Sequence, residues 1–231
     1  MGKKFDVMVI FAHADDAEFG VAGSVALWKT QGKSIIYVLC TNGDKGTSDR
    51  NMTPANLAQI RQEEQRAAAL RVGVEDVVFL GLPDQQLEDT PAFREDIVRL
   101  IRQYQPDVVV SSDPYRRYLW HRDHRVIGQV VMDAAFPYAR DHMAYPQMLA
   151  EGLEPHKIKE LLFFGAEETN HHVDITETFD DKLAALKCHE SQVRELKVGN
   201  LETWLKKRCI KMAEGTPHQL AEAFHRVQMP E

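Results

Sequence analysis

Phe5-Asp6-Val7-Met8-Val9-Ile10-Phe11-Ala12-His13-Ala14-Asp15-Asp16-Ala17-Glu18 is the stretch on which the reading of this chain turns. Phe5 to Phe11 reads as a strand buried on both faces, because its apolar residues run on without the alternation of a half-solvated strand. The run stops in a cluster of one histidine and three acids. From Ala17 to Gln31 the apolar or small residues Phe19, Ala22, Gly23, Ala26, Leu27 and Thr30 recur at helical spacing, and Gly32 closes the segment.

Outward from this unit the pattern repeats. Ser34 to Cys40 predicts a second strand. Thr41 to Thr53 is a polar loop with Gly43 and Gly46, and Pro54 opens a helix to about Arg71, ended by Gly73. Asp76 to Leu80 and Asp107 to Ser111 predict strands around a helix over Pro91 to Tyr104, and His121 to Phe136 predicts the next helix. This alternation implies an α/β fold, a mostly parallel sheet with helices on both faces and right-handed crossovers. Past Pro137 the periodicity blurs. Lys159 to Gly165 predicts a strand, and Thr176 to His189 a helix with Thr176 as N-cap. The irregular segment 137–157 suits a substrate lid, a subunit contact or packing over the sheet edge. With no repeat and no linker, residues 1–231 are expected to form one domain.

Composition narrows the class. The chain is 44% hydrophobic and 27% charged, as globular domains are, and its formal charge of −7 disfavours nucleic acid and anionic membranes as partners. Cys40, Cys188 and Cys209 make no CxxC pair and an odd number, which suits a reducing compartment. No stretch approaches the roughly 20 apolar residues of a membrane span, and the apolar run after Asp6 is too short for a signal peptide core. A cytoplasmic location is the expectation.

Ligands of open α/β sheets bind at the carboxyl ends of the strands. Three loops there hold the unusual polar residues: Ala12 to Glu18, Thr41 to Gly46, and Asp113 onward to His121-Arg122-Asp123-His124. His13 with Asp16, and His121 with His124, share the spacing that puts two side chains on one face of a first helical turn. Two such pairs on neighbouring loops can converge on a cation. Imidazole with carboxylate suits Zn²⁺, and Fe²⁺ or Mn²⁺ less specifically. His13, Asp16 and His124 would be the three ligands. Asp15 would be the general base, His121 would stabilise an oxyanion or protonate a leaving amine, and Asp123 would orient an imidazole. Taken singly, each motif is equally well a helix cap or a solvated helix start.

These residues resemble the PIG-L/LmbE-type N-acetylglucosaminyl de-N-acetylases. Ala12 to Glu18 is similar to the family's AHPDDxE, and His121 to His124 to its HPDH. Thr41 to Gly46 resembles TxGExG; Arg61, Glu64 and Ala67 to Gly73 resemble its RxxE helix. Leu82-Pro83-Asp84 resembles its LPD turn, and Lys182, Leu186, His189, Ser191 and Gln192 its KxxALxxHxSQ helix. The resemblance implies a Rossmann-like fold, a divalent metal, usually zinc, on His13, Asp16 and His124, and Asp15 and His121 as the catalytic pair. It implies substrate contacts at Arg61, Asp44 and Asp84. His189 and Tyr118 join these as candidate substrate contacts, against the plainer readings of a core histidine and a rim tyrosine. The implied partner is a small N-acetylated sugar, and the implied assembly a homo-oligomer, trimer or hexamer. Ala14 and Arg122 depart from the family's two prolines, and Asp44 is one methylene shorter than its glutamate. The expected activity is removal of an acetyl group from the amide nitrogen of an N-acetylglucosamine-like molecule. The rivals are a metallo-phosphoesterase, which would need more carboxylates, and a non-catalytic metal- or sugar-binding module.

Overall fold

A computed structural model describes residues 3–119 and 121–230. In chain order the main elements begin with β1 (Val7–Phe11), α1 (Asp16–Gly20), α2 (Ala22–Thr30), β2 (Ile35–Thr41), α3 (Pro54–Arg71) and β3 (Asp76–Leu82). There follow α4 (Pro91–Tyr104), β4 (Val108–Ser112), α5 (Arg122–Asp133), α6 (Gln147–Ala150) and β5 (Glu160–Phe164). The last part holds β6 (His171–Asp174), α7 (Phe179–Lys187), α8 (Glu190–Val193), α9 (Leu201–Met212) and β7 (Ala221–Gln228).

The seven strands lie in the order β3-β2-β1-β4-β5-β7-β6. β3, β2, β1, β4 and β5 pair in parallel, and β7 runs antiparallel to both β5 and β6. The mostly parallel sheet is therefore as the alternation implies. After β1 the chain builds outward through β2 and β3, then returns to place β4 on the other side of β1. That reversal opens a crevice at the carboxyl ends of β1 and β4.

Both sheet faces are covered. Met8 and Ile10 of β1 pack with α4 and α5, through Ile97, Ile101, Ile127 and Val131. Val7, Val9 and Phe11 pack on the opposite face with α2 and α3, through Val25, Ala68 and Ala69. Burial on alternating sides explains why Val7 to Phe11 contains no polar residue.

The helices over 54–71 and 91–104 begin as their sequences dictate. Thr53 and Thr90 accept backbone N–H bonds from Asn56 and Phe93, with proline at each first helical position. The expected helix from Ala17 to Gln31 is instead two, divided at Val21. The buried carboxylate of Glu222 accepts the N–H groups of Gly23 and Ser24 at 3.0 and 2.7 Å, giving α2 its own capped start. The helix expected from His121 ends at Asp133, and Phe136 leaves helical geometry. Thr176 does not cap a helix: it sits in a short turn, its hydroxyl on Asp174, and α7 begins at Phe179.

In segment 137–157, Ala139 and Met148 join the core cluster formed with α4 and α5. Arg102, almost wholly buried, donates to the carbonyls of Tyr138, Ala139, Asp141 and Ala144 and so fixes the irregular chain. α9, β6 and β7 lie where the sequence offered no clear periodicity. Among the described residues no helix is long and apolar enough to cross a membrane.

Candidate metal and catalytic site

His13 follows β1 directly, and His121 to His124 form the start of α5 after β4, so the topological crevice brings them together. Gly128 lets α5 sit tight on β4, since a Cβ there would collide with the Ser112 carbonyl. His13 Nδ1 lies 3.1 Å from His124 Nε2 and 3.5 Å from Asp16 Oδ2, and His124 Nε2 lies 3.0 Å from Asp16 Oδ1. Donor atoms bonded at about 2.0–2.1 Å around a tetrahedral ion stand roughly 3.4 Å apart. Two imidazole nitrogens and a carboxylate at these separations match that edge length. His121 joins them, its ring centre 4.4 Å from that of His13 and 5.1 Å from that of His124.

The other nitrogen of His13 is gripped as well. Its Nε2 lies 3.1 Å from Asp84 Oδ1 and 3.2 Å from Asp123 Oδ2. Asp123 is completely buried and also accepts the N–H groups of Gln85 and Leu87 at 2.7 and 3.3 Å. Carboxylates behind an imidazole orient its free face toward a metal. The same side offers a second ligand grouping, His13 with Asp84, His121 and Asp123. Burial opposes a charge on His13, but hydrogen bonds from its ring to Asp123, Asp16 and Asp84 hold its pKa well above the ordinary value. Burial likewise works against the Asp16 carboxylate, and His124 and His13 outweigh it, leaving the pKa well below the usual range. His121 goes the other way: burial and then the charges of His13 and His124 depress it.

Asp15 stands beside this group with φ 97°, a left-handed conformation costing a non-glycine residue about 1–3 kcal/mol. Its N–H donates to Gln65 Oε1 at 3.3 Å. Gln65 Nε2 donates to Glu18 Oε1 at 3.1 Å, and Glu18 Oε2 meets His189 Nε2 at 2.9 Å. Burial pushes the Asp15 carboxyl up to about 6, against the pull of the Arg61 guanidinium 3.9 Å away.

The residues expected at the substrate sort differently. His189 has no exposed surface and its Nε2 is taken by Glu18, which matches the core-histidine reading rather than a substrate contact. Arg61 is 4% exposed, and its guanidinium donates to the carbonyls of Ala14, Gly43 and Lys45, clamping two site loops together. Asp84 is buried behind His13. Asp44 pairs with Lys45 and accepts the Asp84 N–H at 3.3 Å. Tyr118 is 85% exposed on the loop after β4. Gln65 and Glu18 went unassigned in the sequence, although Gln65 stands one helical turn after Arg61, on the same face. Beside Asp16 and His124 opens a cleft of about 570 Å³, walled by Phe19, Leu119, Phe164, Trp204 and Met212.

Residues 8–135 match the PIG-L family, described as GlcNAc-PI de-N-acetylase. The chain belongs to the PIG-L family. Among PIG-L relatives, the diacetylchitobiose deacetylase of Thermococcus kodakarensis is 31% identical over 218 residues, 94% of this chain and 81% of that protein. A probable N-acetyl-alpha-D-glucosaminyl L-malate deacetylase 2 of Bacillus cereus is 28% identical, covering 82% of this chain and 84% of its own length. The solved N,N'-diacetylchitobiose deacetylase of Pyrococcus horikoshii, complexed with its inhibitor MPG, superposes with a TM-score of 0.91 at 28% identity. The match covers 96% of this chain and 83% of that one.

Proposed function

We propose that this PIG-L protein hydrolyses the N-acetyl group of an N-acetylglucosamine-like small molecule, using a zinc ion held by His13 Nδ1, Asp16 and His124 Nε2. The observation that carries this is the convergence of those three donors, 3.0–3.5 Å apart, at the crevice beside a ligand-sized cleft. Iron(II) suits the same donors. A divalent cation bound there would supply Lewis acidity toward water and the amide carbonyl.

The side chains supply the rest. The Asp15 carboxylate takes the proton of the attacking water. His121 Nδ1 accepts the Asp123 N–H at 3.3 Å, which leaves the ring proton on Nε2. With its pKa depressed, His121 is neutral near pH 7 and donates that N–H to the oxyanion that develops on the carbonyl. The proton held by Asp15 then passes to the leaving amine. Asp84 and Asp123 keep His13 turned to the cation, and Arg61 holds both loops in register. The whole chain acts as one domain, and it assembles as a trimer or hexamer, which light scattering reads.

The test is release of free amine from N-acetylglucosaminides by purified protein, abolished by a chelator and restored by Zn²⁺. Asp15→Asn should keep its metal and lose about 10²–10⁴-fold in kcat. His13→Ala and His124→Ala should lose the metal. Near wild-type turnover in Asp15→Asn removes the base assignment, and about two metal ions per chain would favour a phosphoesterase.

A further inference from the structure

The cleft is far larger than an acetyl group, which needs room for one methyl. Its volume of about 570 Å³ lies within the usual range of small-molecule sites, about 300–1,000 Å³. Its walls are largely apolar, but two arginines also line it: Arg116, from the loop after β4, and Arg208, from α9. Both also line the adjoining outer cleft past Gly165. The Arg208 guanidinium lies over the Trp204 ring, 5.0 Å from its centre. Among the described residues neither arginine forms an ion pair; Glu167 and Glu214 line the outer cleft without pairing with either. Burial lowers the pKa of Arg208, and the charge of Arg116 adds to that, so the two cations feel each other.

In a chain with 35 acidic and 28 basic residues, two guanidiniums line one cleft and, among the described residues, neither pairs with Asp16 or Asp113, the carboxylates that share it. Cover for Trp204 by an amphipathic side chain accounts for Arg208 but not for Arg116. Asp16 is engaged by His13 and His124, and Asp113 accepts the Tyr115 N–H, so the two guanidiniums that line the cleft are left to meet a ligand. Guanidinium forks match the planar oxygens of a carboxylate or the oxygens of a phosphate.

We infer that the substrate is an N-acetylamino-sugar glycoside whose aglycone is apolar where it crosses Phe19, Phe164 and Trp204 and ends in an oxyanion held by Arg116 and Arg208. This rests on the deacetylase reading above, with the amide at the metal site and the aglycone directed along the cleft.

The test uses the full zinc-loaded chain and three glycosides of one anomer of N-acetylglucosamine: phenyl, 4-carboxyphenyl and 4-phosphophenyl. The expected result is a kcat/KM at least about tenfold higher for an anionic glycoside than for the phenyl one, carried by KM and shrinking with added salt. The carboxylate and phosphate arms show which oxyanion is preferred. In Arg116→Met and Arg208→Met the anionic-to-neutral ratio should fall toward one. Equal kcat/KM for all three glycosides, or a ratio untouched by both substitutions, overturns the inference and leaves deacetylation standing. If none is turned over, the deacetylase reading fails, and calorimetry decides the rest: tighter binding of the anionic glycosides to Asp15→Asn sustains the anion site. Equal or absent binding overturns it.

Discussion

At the scale of the residue, the site depends on a few side chains whose work is to hold others. Asp15 keeps a costly backbone conformation, and the amide of Gln65 ties its N–H to Glu18. Gln65 is a positioning residue: it touches neither a proposed ligand nor the cleft. Gln65→Met, of similar length and without hydrogen bonds, should lower kcat about 10- to 100-fold with KM and metal content unchanged. An unchanged kcat would show that the tie does not set the geometry of Asp15. The departures from the family's prolines cost little here. The Ala14 carbonyl accepts from Arg61 at 2.7 Å, which fixes that loop by another route. Arg122 is half exposed and 3.6 Å from Glu88, a surface pair worth little. Histidines and acids were legible because their spacing is local. Their inward supports were not, because a glutamine on a helix announces no partner until the helix is packed.

At the scale of the element, boundaries followed local signals where those existed. The helices over 54–71 and 91–104 are capped by Thr-Pro, which needs no tertiary contact. The division at Val21 was invisible, because the group that caps α2 is Glu222, 199 residues from Gly23. β1 and β2 are clamped at their starts by Asp6 and Ser34. The Asp6 carboxylate accepts the Ser34 N–H and hydroxyl, both at 2.8 Å, and the Ser34 hydroxyl accepts the Asp6 N–H at 2.9 Å. The Ser34 N–H, against a smaller cost of burial, lowers the Asp6 pKa. A depressed carboxyl stabilises the fold above its unfolded pKa, about 3.9, and loses that contribution as pH falls through the folded value. The Ser34 hydroxyl adds to that lowering, and Ser34→Ala, which removes the hydroxyl and keeps the N–H, should raise the Asp6 midpoint part of the way in an NMR titration. The gap in urea midpoint between wild type and variant should be full at pH 7 and narrow below about pH 4. A gap that stays constant with pH would mean the carboxylate is not the group responsible.

At the scale of the whole molecule, one buried ion pair joins the parallel body to the antiparallel addition. Lys182 of α7 donates to the carbonyls of Glu18 and Phe19 and lies 2.5 Å from Glu222 of β7. Both side chains are essentially without solvent exposure. Removing one partner strands the other, a loss of about 3–5 kcal/mol. Lys182→Met should cost on that order, and Lys182→Met with Glu222→Gln should cost less than the two single losses together, read from a double-mutant cycle of unfolding. Strict additivity would show that the charges are not coupled. Lys182 stood in a motif similar to the family's, yet its partner was in a segment read as nothing in particular. β7 carries a buried glutamate among small residues, and β6 has four residues, so neither shows the apolar run that marks an inner strand.

The sequence by itself determined the alternating elements, the mostly parallel sheet, and the histidine and acid motifs that end up at one crevice. All of these rest on residues near each other in the chain, where spacing maps directly onto a strand or a helical turn. Tertiary structure alone decided that His189 and Arg61 face inward, that His13 is held from behind by two carboxylates, and that two arginines from distant segments line one cleft. Those facts depend on contacts between segments far apart in sequence, and no local pattern encodes which side chain a distant one will meet.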